Sequence, residues 1–182
     1  MSFSYEVKEE LSKLNNLAKK QVKAELLGYL MSNNVSTEKK KLKFSTENSY
    51  NINRFNKLLS NTNIPFQIDI QGKVYTIRFV PSKLLPQKEE IVEYEEEEKK
   101  ALIRGLFMGS GMINDPNKNY HLEILFQYPE TISSILPILQ EFGIQMKILD
   151  SKDRYSIYTK DGEEISKMLA LIGANKSVLK YE

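Results

Sequence analysis

An internal repeat constrains this 182-residue chain more than any other feature of its sequence. A displacement of 77 positions pairs four residues with identical ones: Lys23, Ala24, Gly28 and Met31 with Lys100, Ala101, Gly105 and Met108. Downstream, a displacement of 80 pairs six more: Leu42 with Leu122, Leu59 with Leu139, Ile64 with Ile144, Ile68 with Ile148, Tyr75 with Tyr155 and Ile77 with Ile157. The change in displacement from 77 to 80 positions predicts a longer loop around 115–117 in the second copy. Because the matches keep the order of the elements, two copies of one unit explain them better than chance does.

Each copy has the pattern of a helix, two strands, a helix, two strands and a short helix. In the second copy, apolar residues recur at helical spacing over 98–110 and alternate with polar residues over 120–126. Pro129 suits the first turn of the next helix, which ends near Phe142 because Gly143 supplies a left-handed exit. Asn63 has that role in the first copy. The predicted fold class is therefore α+β, a tandem αββαββα repeat.

A β-hairpin follows the second helix of each copy. Its strands are predicted at 66–70 and 74–79 in the first copy, and at 145–149 and 154–158 in the second. Asp161 with Glu164 predicts a capping box for the last helix, which Gly173 closes. Pro137 lies inside the preceding helix and predicts a kink or an early break there.

An acidic block separates the two copies. Seven of the 24 acidic residues lie between Glu89 and Glu98, which leaves 17 acidic against 26 basic residues in the rest of the chain. We therefore divide the chain into a first half with an N-terminal helix (1–86), an acidic linker (87–98) and a second half (99–182). Acidic residues stabilise the start of a helix, so we predict a structural role for the block. The basic remainder permits a polyanionic partner such as nucleic acid.

The composition excludes several classes of protein. The chain has no cysteine, so it has no disulfide framework, no thiolate zinc site and no cysteine nucleophile. No apolar run approaches the roughly 20 residues that span a bilayer. The segment from Met1 to Leu14 is charged and helical in pattern, unlike a signal peptide. We therefore expect a cytoplasmic protein with no membrane partner.

Small residues form a stripe at four-residue spacing on the first helix of each copy. The stripes consist of Ala24, Gly28 and Ser32, and of Ala101, Gly105 and Gly109. A glycine inside a helix costs about 1 kcal/mol relative to alanine, so two in one helix require a packing reason. We predict that the two helices cross closely through these faces. A frayed helix end is the alternative.

The stripes lie in two segments that resemble the LAGLIDADG motif of the homing endonucleases in degenerate form: 103–111 (IRGLFMGSG) and 26–34 (LLGYLMSNN). Other stretches are similar to the N-terminal region of the WhiA family: Ser2-Phe3, Glu6 to Leu11, Asn114 to Pro116, Tyr120 to Ile124 and Leu171 to Asn175. The resemblance covers essentially the whole chain, strongly in the second half and loosely from 39 to 86.

The resemblance does not extend to the catalytic acids. In active LAGLIDADG enzymes an acid near the end of each motif helix helps to hold divalent metal, and the motif places Asn33 and Ser110 there. Both are neutral, whereas hard cations require anionic oxygen ligands. Asp115, beside a proline, is interpreted as a turn residue, and His121, the single histidine, as a polar strand residue. We predict no catalytic residue, no metal, no cofactor and no nuclease activity.

Similarity to the WhiA family implies a bacterial regulator of transcription, cell division, chromosome segregation or sporulation, associated with the nucleoid. In that family a helix-turn-helix domain follows the endonuclease-like region. The sequence stops at Glu182, so we expect that domain to be absent from this chain and its own DNA binding to be weak and tolerant of sequence. The alternative is a protein-interaction scaffold without DNA binding of its own. An active endonuclease is a distant third.

Strand alternation assigns one face of the sheets to solvent or to DNA. The candidate DNA contacts on that face are Lys41, Lys43, Arg78, Lys147, Arg154 and Tyr158. Asp69 and Glu123 on the same face oppose phosphate, and Val74, Leu125 and Leu149 are apolar. A solvated sheet face, a DNA-binding face and a protein-binding face all remain open at this stage.

Overall fold

Two four-stranded antiparallel sheets, one in each half of the chain, form the frame of the computed structural model, which describes residues 2–15 and 17–181. Met1 and Glu182, the outer ends of the predicted ranges 1–86 and 99–182, and Asn16 lie outside the described residues. The first half contains α1 (Phe3–Ser12), α2 (Lys19–Met31), β1 (Val35–Glu38), β2 (Lys41–Thr46), α3 (Ser49–Ser60), β3 (Phe66–Gln71) and β4 (Val74–Phe79). Its strand order is β1-β2-β4-β3.

A 3₁₀ helix (Lys88–Glu93) leads into the second half. That half contains α4 (Glu96–Ser110), β5 (Gly111–Ile113), β6 (Leu122–Phe126), α5 (Pro129–Glu141), β7 (Lys147–Ser151), β8 (Arg154–Thr159), α6 (Gly162–Ile172) and α7 (Asn175–Val178). The strand order β5-β6-β8-β7 repeats that of the first sheet. The α+β tandem repeat is thereby confirmed. Among the described residues, no helix has the length and apolarity that crossing a membrane requires.

The strand register reproduces the repeat residue by residue. Leu42 pairs with Phe79, and 80 positions later Leu122 pairs with Thr159. Every pair between β2 and β4 recurs in this way between β6 and β8. A slip by one residue turns each side chain to the other face of a sheet, so this agreement fixes which residues of both copies share a face.

The helix ends follow the predicted chemistry in most places. Asn63, Gly143 and Gly173 have φ angles of 61°, 73° and 100°, which confirms the left-handed exits. Two details differ. The capping box predicted at α6 is wrong. Asp161 Oδ1 accepts from the Glu163 N–H at 2.8 Å, but the Glu164 carboxylate accepts from the backbone N–H of Gln145, before β7, and not from that of Asp161. The break predicted inside α5 is also absent: the helix continues past its proline to Glu141.

The first copy lacks the short closing helix predicted for it. After β4 the chain runs through residues 80–87 into the 3₁₀ helix, and the second copy alone ends in helices α6 and α7. The acidic block lies at a helix start, as predicted: Glu95 caps α4, and the Glu98 carboxylate accepts from the Glu95 N–H at 3.3 Å. Helix α4 therefore begins inside the range 87–98.

Helices α2 and α4 cross through their small-residue stripes. A Cβ atom added to Gly105 collides with the backbone carbonyl of Glu25, and one added to Gly28 collides with the backbone of Leu102 and Leu106. A Cβ atom added to Gly109 collides with the Ser32 side chain. These contacts confirm the close crossing and rule out a frayed end.

A buried ion cluster lies at this crossing, and the sequence analysis did not foresee it. Glu25 of α2 is fully buried and accepts from Arg54 Nε of α3 and from Arg104 Nε of α4, each at 2.7 Å. Arg54 also donates to the Leu14 carbonyl, and Arg104 donates to the Ile172 carbonyl at 3.2 Å. One carboxylate thus joins both halves through three helices.

Helix α1 ties the two ends of the chain together. The Glu10 carboxylate accepts from the backbone N–H groups of Lys176 and Ser177 at 2.7 and 3.0 Å, and so caps the start of α7. Ser4 Oγ donates to the Ile113 carbonyl at 2.9 Å at the end of β5. The N-terminal helix is therefore held against the second half as well as against α3.

Candidate nucleic-acid interface

Each sheet has one face packed on the core and one face free of the core helices. Phe44, Ile77, Ile124 and Ile157 are fully buried on the core side. We call the other side the open face. It carries Lys41, Lys43, Ser45, Gln67, Asp69, Val74, Thr76 and Arg78 on the first sheet, with Glu123, Leu125, Lys147, Leu149, Arg154, Ser156 and Tyr158 on the second. The six predicted DNA contacts therefore share this face, three on each sheet.

Carboxylates pair with the cations of the first sheet. Lys43 Nζ lies 2.8 Å from Glu38 Oε2, and Arg78 Nε lies 3.6 Å from Glu38 Oε1. Arg78 also lies 3.8 Å from Asp69. The hydrogen bond and charge of Lys43 lower the pKa of the Glu38 carboxyl. Lys41, at the start of β2, is exposed.

The sequence analysis missed Glu38. Its position on the open face follows from the pairing of Glu38 with Lys41 in the β1–β2 hairpin. The alternation of Ser36 and Glu38 with Val35 and Thr37 was the signal available in the sequence.

A buried carboxylate organises the open face of the second sheet. Glu123 is only 6% exposed, accepts from Ser156 Oγ at 2.6 Å and from Arg154 Nη2 at 3.2 Å, and lies 3.0 Å from His121 Nε2. Burial alone raises the pKa of the Glu123 carboxyl, but the hydrogen bonds from Ser156 and His121 and the charge of Arg154 outweigh it, so that the pKa is lowered. The exposed Arg154 is thereby held toward the sheet.

The remaining positions of this face are mixed. Tyr158 is half-buried and stacks on the His121 ring with centroids 6.0 Å apart. Lys147, its partner across β7 and β8, is exposed. Leu125 and Leu149 are half-buried, whereas Val74 is 37% exposed. The open face is thus a polar surface with its charges largely paired and a small apolar fraction.

The two motif ends, where active enzymes carry acids, converge on one backbone carbonyl. Ser110 is buried and its hydroxyl donates to the Leu125 carbonyl, which also accepts from the Asn33 N–H at 3.3 Å. The Asn34 amide donates to the Gly109 carbonyl at 2.6 Å. Neutral hydroxyl and amide groups here fasten α2 and α4 to strand β6, and they offer no anionic oxygen to a hard cation.

Asp115 lies in a turn, as the sequence predicts. The Asp115 carboxylate accepts from the Asn117 N–H at 2.8 Å and its carbonyl accepts from the Lys118 N–H at 2.9 Å, which is a turn. Over residues 2–15 and 17–181, no three His, Asp or Glu side chains are grouped closely enough to hold a metal ion.

Two solved structures share this architecture. The N-terminal LAGLIDADG domain of DUF199/WhiA superposes with a TM-score of 0.84 at 25% identity, over 94% of this chain and 92% of that one. The homing endonuclease I-DmoI in complex with DNA and Mn superposes with a TM-score of 0.64 at 16% identity, over 86% of this chain and 98% of that one. The fold and the glycine-mediated crossing define a single-chain protein of two LAGLIDADG-type units.

Sequence comparison narrows this class to a family. Residues 99–182 match the family model of the WhiA LAGLIDADG-like domain. The probable cell division protein WhiA of Lachnospira eligens is 34% identical over 96% of this chain and 64% of its own length. That of Clostridium tetani is 30% identical over 100% of this chain and 67% of its own length. The chain belongs to the WhiA family and spans about two thirds of the length of these relatives.

Proposed function

We propose that this chain is a non-catalytic, DNA-associated module of a WhiA-like regulator of transcription, cell division and chromosome segregation or sporulation. The observation that carries the proposal is the pair Asn33 and Ser110 at the crossing of an otherwise intact LAGLIDADG fold. Relatives named as cell division proteins support the cellular role. A bacterial cytoplasmic location at the nucleoid follows from such a role.

The open face supports DNA association. In I-DmoI the same fold is in complex with DNA. The first and second sheets here present five cations, and a two-stranded ribbon fits the major groove of DNA. They are Lys41, Lys43, Arg78, Lys147 and Arg154. Phosphate contacts by such residues position a protein on DNA but carry no sequence information by themselves.

The same face limits the affinity. Glu38, Asp69 and Glu123 each contact a cation that is a candidate phosphate ligand. A phosphate has to displace or share these partners, and the carboxylates repel it. We therefore propose weak and sequence-tolerant binding by this chain, with stronger recognition contributed by a helix-turn-helix domain such as the family carries.

Salt dependence of DNA binding tests the proposal. Five phosphate contacts release counterions with a log-log slope of about 4.5, so the affinity for a labelled duplex falls about 10² to 10³-fold between 50 and 200 mM salt. The expected result in fluorescence anisotropy is this steep loss with little preference between duplex sequences. Incubation with plasmid and magnesium or manganese is expected to leave the DNA intact, and cleavage that a chelator abolishes contradicts the proposal.

A second candidate is a protein-interaction scaffold. The paired charges and the exposed or half-buried Val74, Leu125 and Leu149 favour it, because apolar positions on an open face suit a protein partner. The same titration separates the two candidates. Failure to bind any duplex even at low salt supports the scaffold and excludes the DNA module.

A further inference from the structure

A cavity of about 570 Å³ lies between α1, the loop before α3 and the turn between β3 and β4. Thr46 and Tyr75 line it and are paired across β2 and β4. By strand alternation they lie on the core side of the sheet, opposite Lys43 and Arg78. The cavity is therefore separate from the open face.

Lys8 extends into this cavity without a counter-ion. Its ammonium makes no ion pair with any described residue, and its Nζ lies 5.7 Å from the centroid of the buried Phe107 ring. The residue keeps part of its surface exposed, but the protein around its ammonium is sufficient to lower the pKa of Lys8 to about 8. A lysine in such surroundings gains from an anion that replaces the lost water. By contrast, Lys13, the residue directly after α1, contacts Glu9 at 3.0 Å.

The rest of the cavity wall is also suited to an anion. Ser2 caps the start of α1 and Asn48 caps the start of α3, so the positive ends of two helices border the cavity. Lys73 adds a second ammonium from the hairpin turn. Glu47 is the one carboxylate in the lining and is exposed. Two ammonium groups and two helix starts outweigh it.

We propose that this cavity binds the phosphate group of a small phosphorylated molecule, with Lys8 as its principal counter-ion. The volume lies in the range of small-molecule sites, about 300 to 1,000 Å³. A phosphate dianion suits a lining that carries two ammonium groups, Lys8 and Lys73, and two helix starts. Tyr5 and Tyr75 also line the cavity. Because Glu10 ties α1 to α7, a ligand bound by Lys8 contacts a helix that joins both halves.

Titration calorimetry on the whole chain tests this site, with inorganic phosphate and adenosine 5′-monophosphate as probes. Adenosine and sodium chloride at equal ionic strength serve as controls. We expect saturable binding of a phosphate-bearing probe, weakened at least about tenfold by Lys8→Met and kept by Lys8→Arg. The matched variant Lys13→Met, at the end of α1 and outside the cavity lining, is expected to bind as the unchanged protein does. Tighter binding of the nucleotide identifies a nucleotide site, and equal binding identifies a phosphate site.

A second readout is specific to the lysine. At about pH 8.5, binding of an anion raises the lowered pKa of Lys8, so the protein takes up a proton that Lys8→Met does not take up. The other titratable groups lining the cavity are Glu47, Lys73, Tyr5 and Tyr75. Because the methionine removes a desolvated charge, Lys8→Met is expected to melt at a higher temperature, which shows that the variant is folded.

Three results overturn the proposal. They are no saturable binding of either probe at millimolar concentration, equal binding by Lys8→Met, and equal binding of adenosine without phosphate. The DNA titration is independent of this site, because Lys8→Met leaves the cations of the open face unchanged. A loss of duplex affinity in Lys8→Met, without binding of either probe, assigns the cavity to the DNA interface and also overturns the proposal.

Discussion

The two halves of this protein share one backbone register but carry different chemistry on it. Lys43 on the first sheet corresponds to Glu123 on the second, and both pair across to the equivalent position of the next strand. Leu27 of α2 corresponds to Arg104 of α4 by the displacement of 77 residues. The apolar alternation and the small-residue stripes are alike in both halves. The difference shows that these features specify the fold, while the charged positions diverge within it.

The largest expected effect tests the glycine stripes that both halves share at the crossing of α2 and α4. Gly105→Leu places a side chain against the Glu25 carbonyl, and backbone cannot move aside as a flexible side chain does. We expect the free energy of unfolding to fall by about 4 kcal/mol or more, against a gain of about 1 kcal/mol in helix propensity. Thermal melts measure the change. Gly162→Ala is the control, since its Cβ meets only the ring of Tyr120 at 3.1 Å. A neutral or stabilising Gly105→Leu places Gly105 outside the helix interface.

The second effect tests the buried ion cluster around Glu25, which both halves form together. Glu25→Gln leaves Arg54 and Arg104 buried without their shared anion, so we expect a loss of about 3 kcal/mol or more in denaturant unfolding. Glu9→Gln makes the same substitution at an exposed pair with Lys13 and is expected to cost far less, because solvent screens that pair. Equal losses in the two variants mean that the buried cluster does not join the halves.

Sequence patterns predicted the fold well because its determinants are local. The left-handed Asn63 and Gly143, the strand alternation and the glycine stripes each act within a few residues. The cluster around Glu25 was missed because its partners are 29 and 79 positions away, although a charge directly beside a small-residue stripe was a visible sign. The closing helix of the first copy was predicted from the repeat alone, and the chain there leads to the linker instead.

The shared face of the candidate residues followed from the sequence, but the pairing of their side chains did not. All six predicted residues lie on the open face, yet the side-chain partners of Lys43, Arg78 and Arg154 depend on rotamers that alternation does not determine. Ser156 was placed on that face by alternation, but its hydrogen bond to Glu123 could not be foreseen. Residue type and strand parity therefore locate a face, whereas its net electrostatic character requires the structure.

The third prediction exploits the different burial of the carboxylates on the two sheets. Glu123→Gln removes a negative charge and releases Arg154, so duplex DNA affinity at low salt is expected to rise about three- to tenfold in anisotropy titrations. Asp69→Asn on the first sheet, where the carboxylate is half exposed and 3.8 Å from Arg78, is the matched variant for comparison. Its affinity gain is expected to be similar, because both variants remove one charge from the same face.

Stability distinguishes these two variants. The folded-state pKa of Glu123 is lowered, so its stabilising contribution is present above the ordinary carboxyl pKa of 4.5 and is lost as the pH falls through the lower folded value. The difference in unfolding free energy between the unchanged protein and Glu123→Gln is therefore expected to shrink as the pH falls below about 4.5. A difference that does not vary over that pH range contradicts a stabilising role for the contacts of Glu123 with Ser156, His121 and Arg154.

The smallest expected effect concerns single phosphate contacts and asks whether both halves contact DNA. Lys43→Ala on the first sheet and Arg154→Ala on the second each remove one candidate contact, so each is expected to flatten the log-log salt slope by about 0.9. The affinity loss is expected to be the same on all duplex sequences, because phosphate contacts do not read bases. Lys57→Ala on α3, away from the open face, is the control.

If only Lys43→Ala flattens the slope, Arg154 remains held by Glu123 in the complex and the first sheet alone contacts DNA. If neither variant does, Lys43 and Arg154 make no phosphate contact, and neither sheet contacts DNA through the residue tested on it.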